Sequence, residues 1–215
     1  MTIIEQSIVF GKETFILTNQ RAVFWPAQNA LLLSDLHLGK AAHFRKNGIA
    51  LPTQVSVQDI QRLKSLVDHY RVTQVIVVGD LLHAGANTEL KLLKELIHQY
   101  TGTKFILIKG NHDRFPDYEL LDMGIHHIHP ALHLDGIELI HQLPVTKGLF
   151  ITGHIHPGVS LQFPDKKRLR LPCYVLTPNQ LILPAFSLFT GLDTRVIEQA
   201  VYYAFYGEGI FKIVQ

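Results

Sequence analysis

Four short apolar runs in this chain each stop on residues that bind metal ions or move protons: "LLLSDLH" on Asp35 and His37, "IVVGD" on Asp80, "ILIKGNHD" on Asn111, His112 and Asp113, and "FITGHIH" on His154 and His156. A fifth run, "ELIH", ends on His141. Apolar stretches this short read as strands buried on both faces. Between the first three lie segments with helical spacing, 53–69 (Val57, Ile60, Leu63, Leu66, Val67) and 88–99. That alternation predicts βαβ units and a largely parallel sheet over residues 30–110. A parallel sheet delivers its strand ends to one edge, so the five polar clusters are expected to converge.

The flanks read differently. The first 28 residues alternate ("SIVF", "TFIL", "RAVFWP") as two or three antiparallel strands, and beyond about residue 125 short strands replace helical periodicity ("LFITGH", "GVSLQF", "CYVLT", "QLILP", then a hairpin around "YGEG"). The expected class is α/β: a layered β-sandwich flanked by helices, with the site at the C-terminal ends of the strands. With 215 residues, 47% of them hydrophobic, and no linker or repeat, one domain spanning 1–215 is expected, with the 1–28 β segment packed on it.

A single cysteine, Cys173, excludes an intramolecular disulfide framework and a Cys-rich zinc module. The start "MTIIEQSIVF" has no basic n-region, and no apolar run approaches the roughly 20 residues that span a bilayer. A cytoplasmic protein without membrane association is the expectation. The formal net charge of +2 is too small to hold nucleic acid by charge alone, and it does not exclude a nucleic-acid substrate.

Seven of the strand-end residues are potential metal ligands: Asp35, His37, Asp80, Asn111, His141, His154 and His156. Asp35 with His37, and His154 with His156, are i, i+2 pairs that on extended backbone project to one side. Glycines 79, 110 and 153 stand just before ligands, where close backbone approach is needed. Seven ligands exceed what one zinc ion requires and suit two metal ions sharing a carboxylate. Imidazole and oxygen donors without thiolate favour manganese, iron or zinc over calcium.

The elements "DLH", "GD", "GNHD", a lone His and "GHIH", in this order and near these separations, resemble the calcineurin-like metallophosphoesterase superfamily. A closer resemblance, carried by "SDLHLGKAAHFRKNGI", "VVGDLLHA", "GNHDR", "GHIHP", "LRLPCYVL" and "LPAFSLFTG", is to the ligase-associated DNA damage response endonucleases. The resemblance implies a metallophosphoesterase-type sandwich with two divalent ions, Asp35, His37 and His156 on one, Asn111, His141 and His154 on the other, and Asp80 bridging. It implies that His112 acts at the scissile phosphate and that Asp113 orients His112. One departure concerns the fifth ligand, often preceded by glycine in the superfamily, whereas His141 sits in "LIHQLP". The implied activity is phosphodiester hydrolysis, with DNA as substrate in repair, manganese as the expected metal (iron or zinc as alternatives), and a functional link to a DNA ligase and a helicase. The rival enzyme is a nucleotide or cyclic-nucleotide phosphoesterase. The rival from another class is a non-catalytic binding scaffold, against which Asp80 and His112 are both present.

Other residues read more plainly. Lys40, His43, Arg45 and Lys46 follow the first ligand pair and Arg114 follows "GNHD"; all are candidates to meet substrate phosphates, with solvated surface charge as the alternative. His126, His127, His129 and His133 read as surface or strand histidines, and the basic cluster at 166–170 as a solvated loop rather than a DNA-steering patch. Tyr174, Phe186 and Phe189 read as core rather than base-stacking platforms. Cys173 reads as a buried small hydrophobe. His83, three residues after Asp80, is either a support behind the ligands or purely structural.

Overall fold

The computed structural model describes residues 2–40, 44, 48, 54–83, 88–163 and 167–214. Its first sheet has seven strands in sequence order: β1 (Glu5–Phe10), β2 (Glu13–Thr18), β3 (Val23–Trp25), β4 (Ala30–Leu33), β5 (Gln74–Val78), β6 (Lys104–Ile108) and β7 (His127–His129). The first four are antiparallel neighbours, and β4 through β7 run parallel. The connections carry helix α1 (Gln54–Tyr70), helix α2 (Thr88–Gln99) and the short α3 (Asp117–Asp122).

Why the central strands are apolar at every position is visible in the packing. Leu31 and Leu33 of β4, Val75 and Val77 of β5, and Phe105 and Leu107 of β6 meet the helices, including Ile60, Leu63, Leu66 and Val67 of α1 and Leu93, Leu96 and Ile97 of α2. The alternate residues Leu32, Ile76, Val78, Ile106 and Ile108 face a second sheet. A strand with period-two side chains covered on both faces needs no polar alternation. Helix α1 stops where Arg71 takes a left-handed φ of 50° and its amide bonds Val67 O at 2.8 Å.

The second sheet contains β8 (Leu132–Leu134), β9 (Ile137–Leu139), β10 (Leu149–Thr152), β11 (Gly158–Gln162), β12 (Arg168–Leu176), β13 (Gln180–Ile182), β14 (Val201–Tyr206) and β15 (Gly209–Val214). Its order is β15-β14-β12-β13-β10-β9-β8, with β11 paired to β12. Here β9, β10 and β13 are parallel and the rest antiparallel. The inner faces of the two sheets share one core containing Phe15, Trp25, Leu139, Ile151, Tyr174 and Leu181. The Tyr174 hydroxyl spans the layers, 2.8 Å from Thr18 O and 2.9 Å from Ala22 O. A third cluster, including Val159, Cys173 and Tyr202, covers the outer face of the second sheet.

The α/β sandwich is therefore present, and the described helices lie against the first sheet. The N-terminal strands number three, and the helices fall at 54–70 and 88–99. Among the described residues no helix is long and apolar enough to cross a membrane.

Candidate metal centre

Each potential ligand follows a parallel strand by two to four residues: Asp35 and His37 after β4, Asp80 after β5, Asn111 after β6, His141 after β9, and His154 and His156 after β10. Both sheets thus contribute from their carboxyl ends, across the seam of the sandwich.

The donor atoms form two groups. In the first, His37 Nε2 and His156 Nε2 are 3.2 Å apart, and Asp35 Oδ1 lies 3.2 Å from His156 Nε2 and 3.8 Å from His37 Nε2. In the second, His141 Nε2 is 3.3 Å from Asp80 Oδ2 and 3.3 Å from His154 Nδ1. Asp80 Oδ2 is also 3.9 Å from His37 Nε2, so one carboxylate oxygen reaches both groups.

These residues fit divalent cations. Asp35 Oδ1 is buried without a hydrogen bond, an arrangement that costs stability unless a cation completes it. His141 Nδ1 lies 3.0 Å from Val78 O, and donation to that carbonyl leaves the Nε2 lone pair facing Asp80 and the cluster. The other oxygen of Asp35 accepts from the His154 amide at 3.1 Å and lies 2.6 Å from the Ser34 hydroxyl, which fixes the carboxylate.

The backbone that aims these groups is not extended. Asp35, His37, Asp80, His154 and His156 all have positive φ, at 57°, 47°, 54°, 73° and 50°. The expected chelation by i, i+2 pairs on extended strand is corrected accordingly: the pairs converge because each ligand sits in a left-handed turn just past its strand. Such a residue costs about 1 kcal/mol or more and persists where surrounding contacts enforce it. Here the enforcing contacts include Asp35 N to Gly79 O at 3.0 Å and His37 N to Asp80 O at 2.9 Å.

The glycines make room. A Cβ on Gly79 would lie 2.1 Å from His141 Nδ1, and one on Gly153 would lie 1.7 Å from Ser34 Oγ. A Cβ on Gly110 would meet Asp80 Oδ1 at 2.2 Å. Each glycine clears space for a ligand, or the support of a ligand, carried by a neighbouring strand. The room that His141 lacks in its own sequence, "LIHQLP", is supplied by Gly79 on β5's exit.

Electrostatics separates the two groups. Burial holds His37 down to about 3, and the attraction of Asp35 and Asp80 offsets only part of it. At Asp80 burial pushes upward, but the hydrogen bond and charge of His141, with the His112 amide and His37, bring it down to about 2. Burial pulls His141 down as well, yet its bond to Asp80 and the charge of Asp35 raise it above the ordinary imidazole value. His154 is lowered by burial and by the neighbouring His141. His37 and His154, held low, beside an ionised Asp80 have the protonation states a metal ligand set requires, whereas His141 must release its favoured proton for an ion to bind.

His112 is half-buried, and its ring centroid lies 5.5 Å from that of His37 and 4.9 Å from that of His83. Its backbone amide bonds Asp80 Oδ1 at 2.9 Å. Asp113 does not orient it as expected. The Asp113 carboxylate accepts from the amides of Asp80 (2.8 Å), Leu82 (3.0 Å) and Gly110 (2.9 Å), so it ties the β5 and β6 exits together and holds backbone rather than the His112 ring. Asn111 follows the exit of β6 and is exposed. Arg114 is exposed, Lys40 is half-buried near Asp35 and Asp80, and His43, Arg45 and Lys46 lie outside the described residues.

Residues read as bystanders stay apart from the donors. None of His126, His127, His129 and His133 joins a candidate metal group among the described residues. The Nδ1 of His126 accepts from the Phe105 amide at 3.1 Å, and His133 lies 3.5 Å from Glu138. Tyr174 and Phe186 are core, whereas Phe189 is half-buried, its ring 5.7 Å from that of Phe44. Cys173 is buried, which pushes its thiol up to about 12 and removes it as a nucleophile.

One support escaped the sequence reading. Asp59 and Arg62 of α1 form a buried pair at 2.7 Å; Arg62 also donates to Phe186 O and stacks over the Phe186 ring at 4.2 Å, while Asp59 accepts from the Leu188 amide at 3.3 Å. The loop they hold bonds in turn to Ser34 O through Phe186 N (2.7 Å) and to Asp35 O through Ser187 N (3.1 Å). The available signal was two charges at 59 and 62, among positions that helical spacing assigns to the buried face.

The calcineurin-like phosphoesterase family model matches residues 29–194. A crystal structure of the Pseudomonas putida nuclease MPE matches with a TM-score of 0.80 and 29% identity, over 94% of this chain and 96% of that one. Yfce, a phosphoesterase from E. coli, matches at 0.42 and 16%, over 81% and 86% of the two chains. A protein of unknown function from Aquifex aeolicus matches at 0.41 and 20%, over 59% and 78%. No curated protein matches the chain.

Proposed function

Because the chain belongs to the calcineurin-like phosphoesterase family and is thus a metal-dependent phosphoesterase, we propose that it is a dinuclear phosphodiesterase whose substrate is DNA, acting in a repair context. The observation that carries this reading is the reach of Asp80 Oδ2 to both donor groups, 3.9 Å from His37 and 3.3 Å from His141. Asp35, His37 and His156 are assigned to one ion, Asn111, His141 and His154 to the other, and Asp80 to both. Manganese is the proposed metal, with iron or zinc as alternatives. The DNA substrate is supported by the likeness to a nuclease over nearly the whole of both chains. A cytoplasmic location and a functional link to a DNA ligase and a helicase complete the proposal and rest on the sequence resemblance.

Two bound ions would supply charge stabilisation to a phosphoryl group and acidify a water. The chain's own residues do the rest. Asp80, held low by His141, carries its negative charge beside His37 and His154, both held low by burial, and Asn111 adds a donor without adding negative charge near an anionic substrate. His112, whose amide bonds Asp80 Oδ1, is assigned to give a proton to the leaving oxygen. Asp113 serves as a positioning residue, holding the Asp80 and Gly110 turns in register.

The test is hydrolysis of bis-p-nitrophenyl phosphate with manganese, then of single-stranded, gapped and flapped DNA beside nucleotides and cyclic nucleotides. Cleavage of the diester and of DNA, lost in Asp80→Asn and His112→Ala, is the expected result. Rapid turnover of nucleotides with every DNA left intact would replace DNA by a small ester, and absence of turnover with any of the metals would leave the scaffold reading.

A further inference from the structure

We propose that the β11–β12 hairpin is one wall of a groove that holds the sugar–phosphate backbone of a polynucleotide strand leading to the metal centre, with Arg168 and Arg170 contacting phosphates. This rests on the phosphodiesterase reading above and assigns a role to the basic cluster read from sequence as a solvated loop.

Topology puts the hairpin at the right end of the molecule. Strand β10 runs toward His154, β13 is parallel to β10, and β12 is antiparallel to β13. The N-terminal half of β12 therefore lies at the metal-bearing end. From Cys173 onward β12 is paired within the second sheet, but from Pro172 back to Arg168 its partner is β11. Strand β11 begins two residues after His156, and the root is pinned by Cys173 N to Pro157 O at 3.1 Å. The hairpin stands past the sheet like a post beside the ligand loop.

Its two faces are chemically unlike. Val159 opposite Leu171, with Leu161, packs into the third core cluster and fixes the hairpin's orientation. The other face pairs Ser160 with Arg170 and Gln162 with Arg168, all four exposed, with no carboxylate among them. Arg170 stands about 7 Å and Arg168 about 13 Å along the hairpin from the Gly158–Pro172 pair at its root. Their mutual spacing of about 7 Å is of the order that separates neighbouring phosphates of an extended strand. A small ester consumed at the metal centre has nothing to place there, whereas a polymer has its next phosphates there. Guanidinium groups suit that contact because they bind phosphate oxygens in pairs. In a chain of net charge +2, positive charge presented on one face beside the site acts locally rather than as a general field.

The deciding experiment measures binding of a single-stranded phosphorothioate oligonucleotide to manganese-loaded protein by fluorescence anisotropy across a salt series, for wild type, Arg168→Ala/Arg170→Ala and Arg168→Glu/Arg170→Glu. Loss of two phosphate contacts should weaken binding about tenfold and lower the slope of log affinity against log salt by about 1.4. The charge-reversed variant should bind more weakly still, and both variants should lose more turnover on single-stranded DNA than on bis-p-nitrophenyl phosphate. Variants with the wild-type affinity and salt slope, in a protein that does bind the oligonucleotide, overturn the hairpin's role alone. Wild-type protein that cuts the small diester and fails to bind the oligonucleotide overturns it together with the DNA reading.

Discussion

The two sheets contribute unlike donors to the same site. The first supplies both carboxylates and the amide, with only His37 as imidazole, and the second supplies nothing but imidazoles: His141, His154 and His156. Negative charge is thus concentrated on the turns packed most deeply, since Asp35 is fully buried and Asp80 nearly so, while His156 remains partly exposed. A carboxylate buried this way needs its hydrogen bonds and its cation, whereas a neutral imidazole at the rim can lose its partner at lower cost. The first sheet therefore sets where charge sits, and in the proposed assignment the second would complete the donor set around it.

The largest expected effect tests that asymmetry directly. Asp80→Asn should lower diester turnover by about 10³-fold and reduce metal content, measured by elemental analysis of the purified protein, while His154→Gln should cost clearly less. Equal losses would mean that both sheets matter alike. Next comes the crossing between sheets: Gly153→Ala drives a Cβ into Ser34 and should cost about 3 kcal/mol in urea unfolding. Gly136→Ala is the complementary case, a positive φ of 78° with nothing within 4 Å of the added Cβ, and should cost about 1 kcal/mol, so Gly153 reports crowding and Gly136 backbone preference.

A smaller loss is expected within the first sheet alone. Asp113→Asn keeps one acceptor oxygen and should lose about 2 kcal/mol of stability, since three buried amides compete for it. Its DNA and diester activities should fall together, as a loosened Asp80 turn requires. The smallest effect concerns protons, in protein stripped of metal by a chelator. Unfolded His37 takes up a proton near 6.5 and folded His37 not until about 3, so stability contributed by this residue falls as pH drops through that interval. His141, raised above 6.5, contributes in the opposite sense: its share is full below 6.5 and fades as pH rises through its folded value. Urea midpoints between pH 4 and 8 should therefore show a shallower acid loss in His37→Gln and a steeper one in His141→Gln.

Sequence and structure agree most where covalent order and hydrophobic period do the work. The parallel strands, both long helices and the convergence of polar residues were all legible, because consecutive apolar residues and helical spacing report burial directly. The left-handed turns were not: Asp and His at such positions carry no local signature, and the preference comes from contacts with another strand's exit. Asp113 was misassigned because adjacency to His112 in sequence suggests adjacency in action, whereas a tight turn sends its carboxylate back to the amides of residues 80, 82 and 110. Helix α3 and strands β7 and β8, at six, three and three residues, are too short for periodicity to register. The space for His141 was invisible for a related reason, since the glycine that grants it lies 62 positions away, at 79.

The left-handed setting of Asp35, His37, Asp80, His154 and His156 bears on how the site is filled. Five side chains whose directions are imposed by folded backbone have no search to make when an ion arrives, so loading resembles docking into a rigid mould more than the gathering of loose arms. Entry and exit should then be governed by dehydration of the ion rather than by motion of the chain, and one divalent species should exchange for another without the amide cross-peaks of the sandwich core shifting.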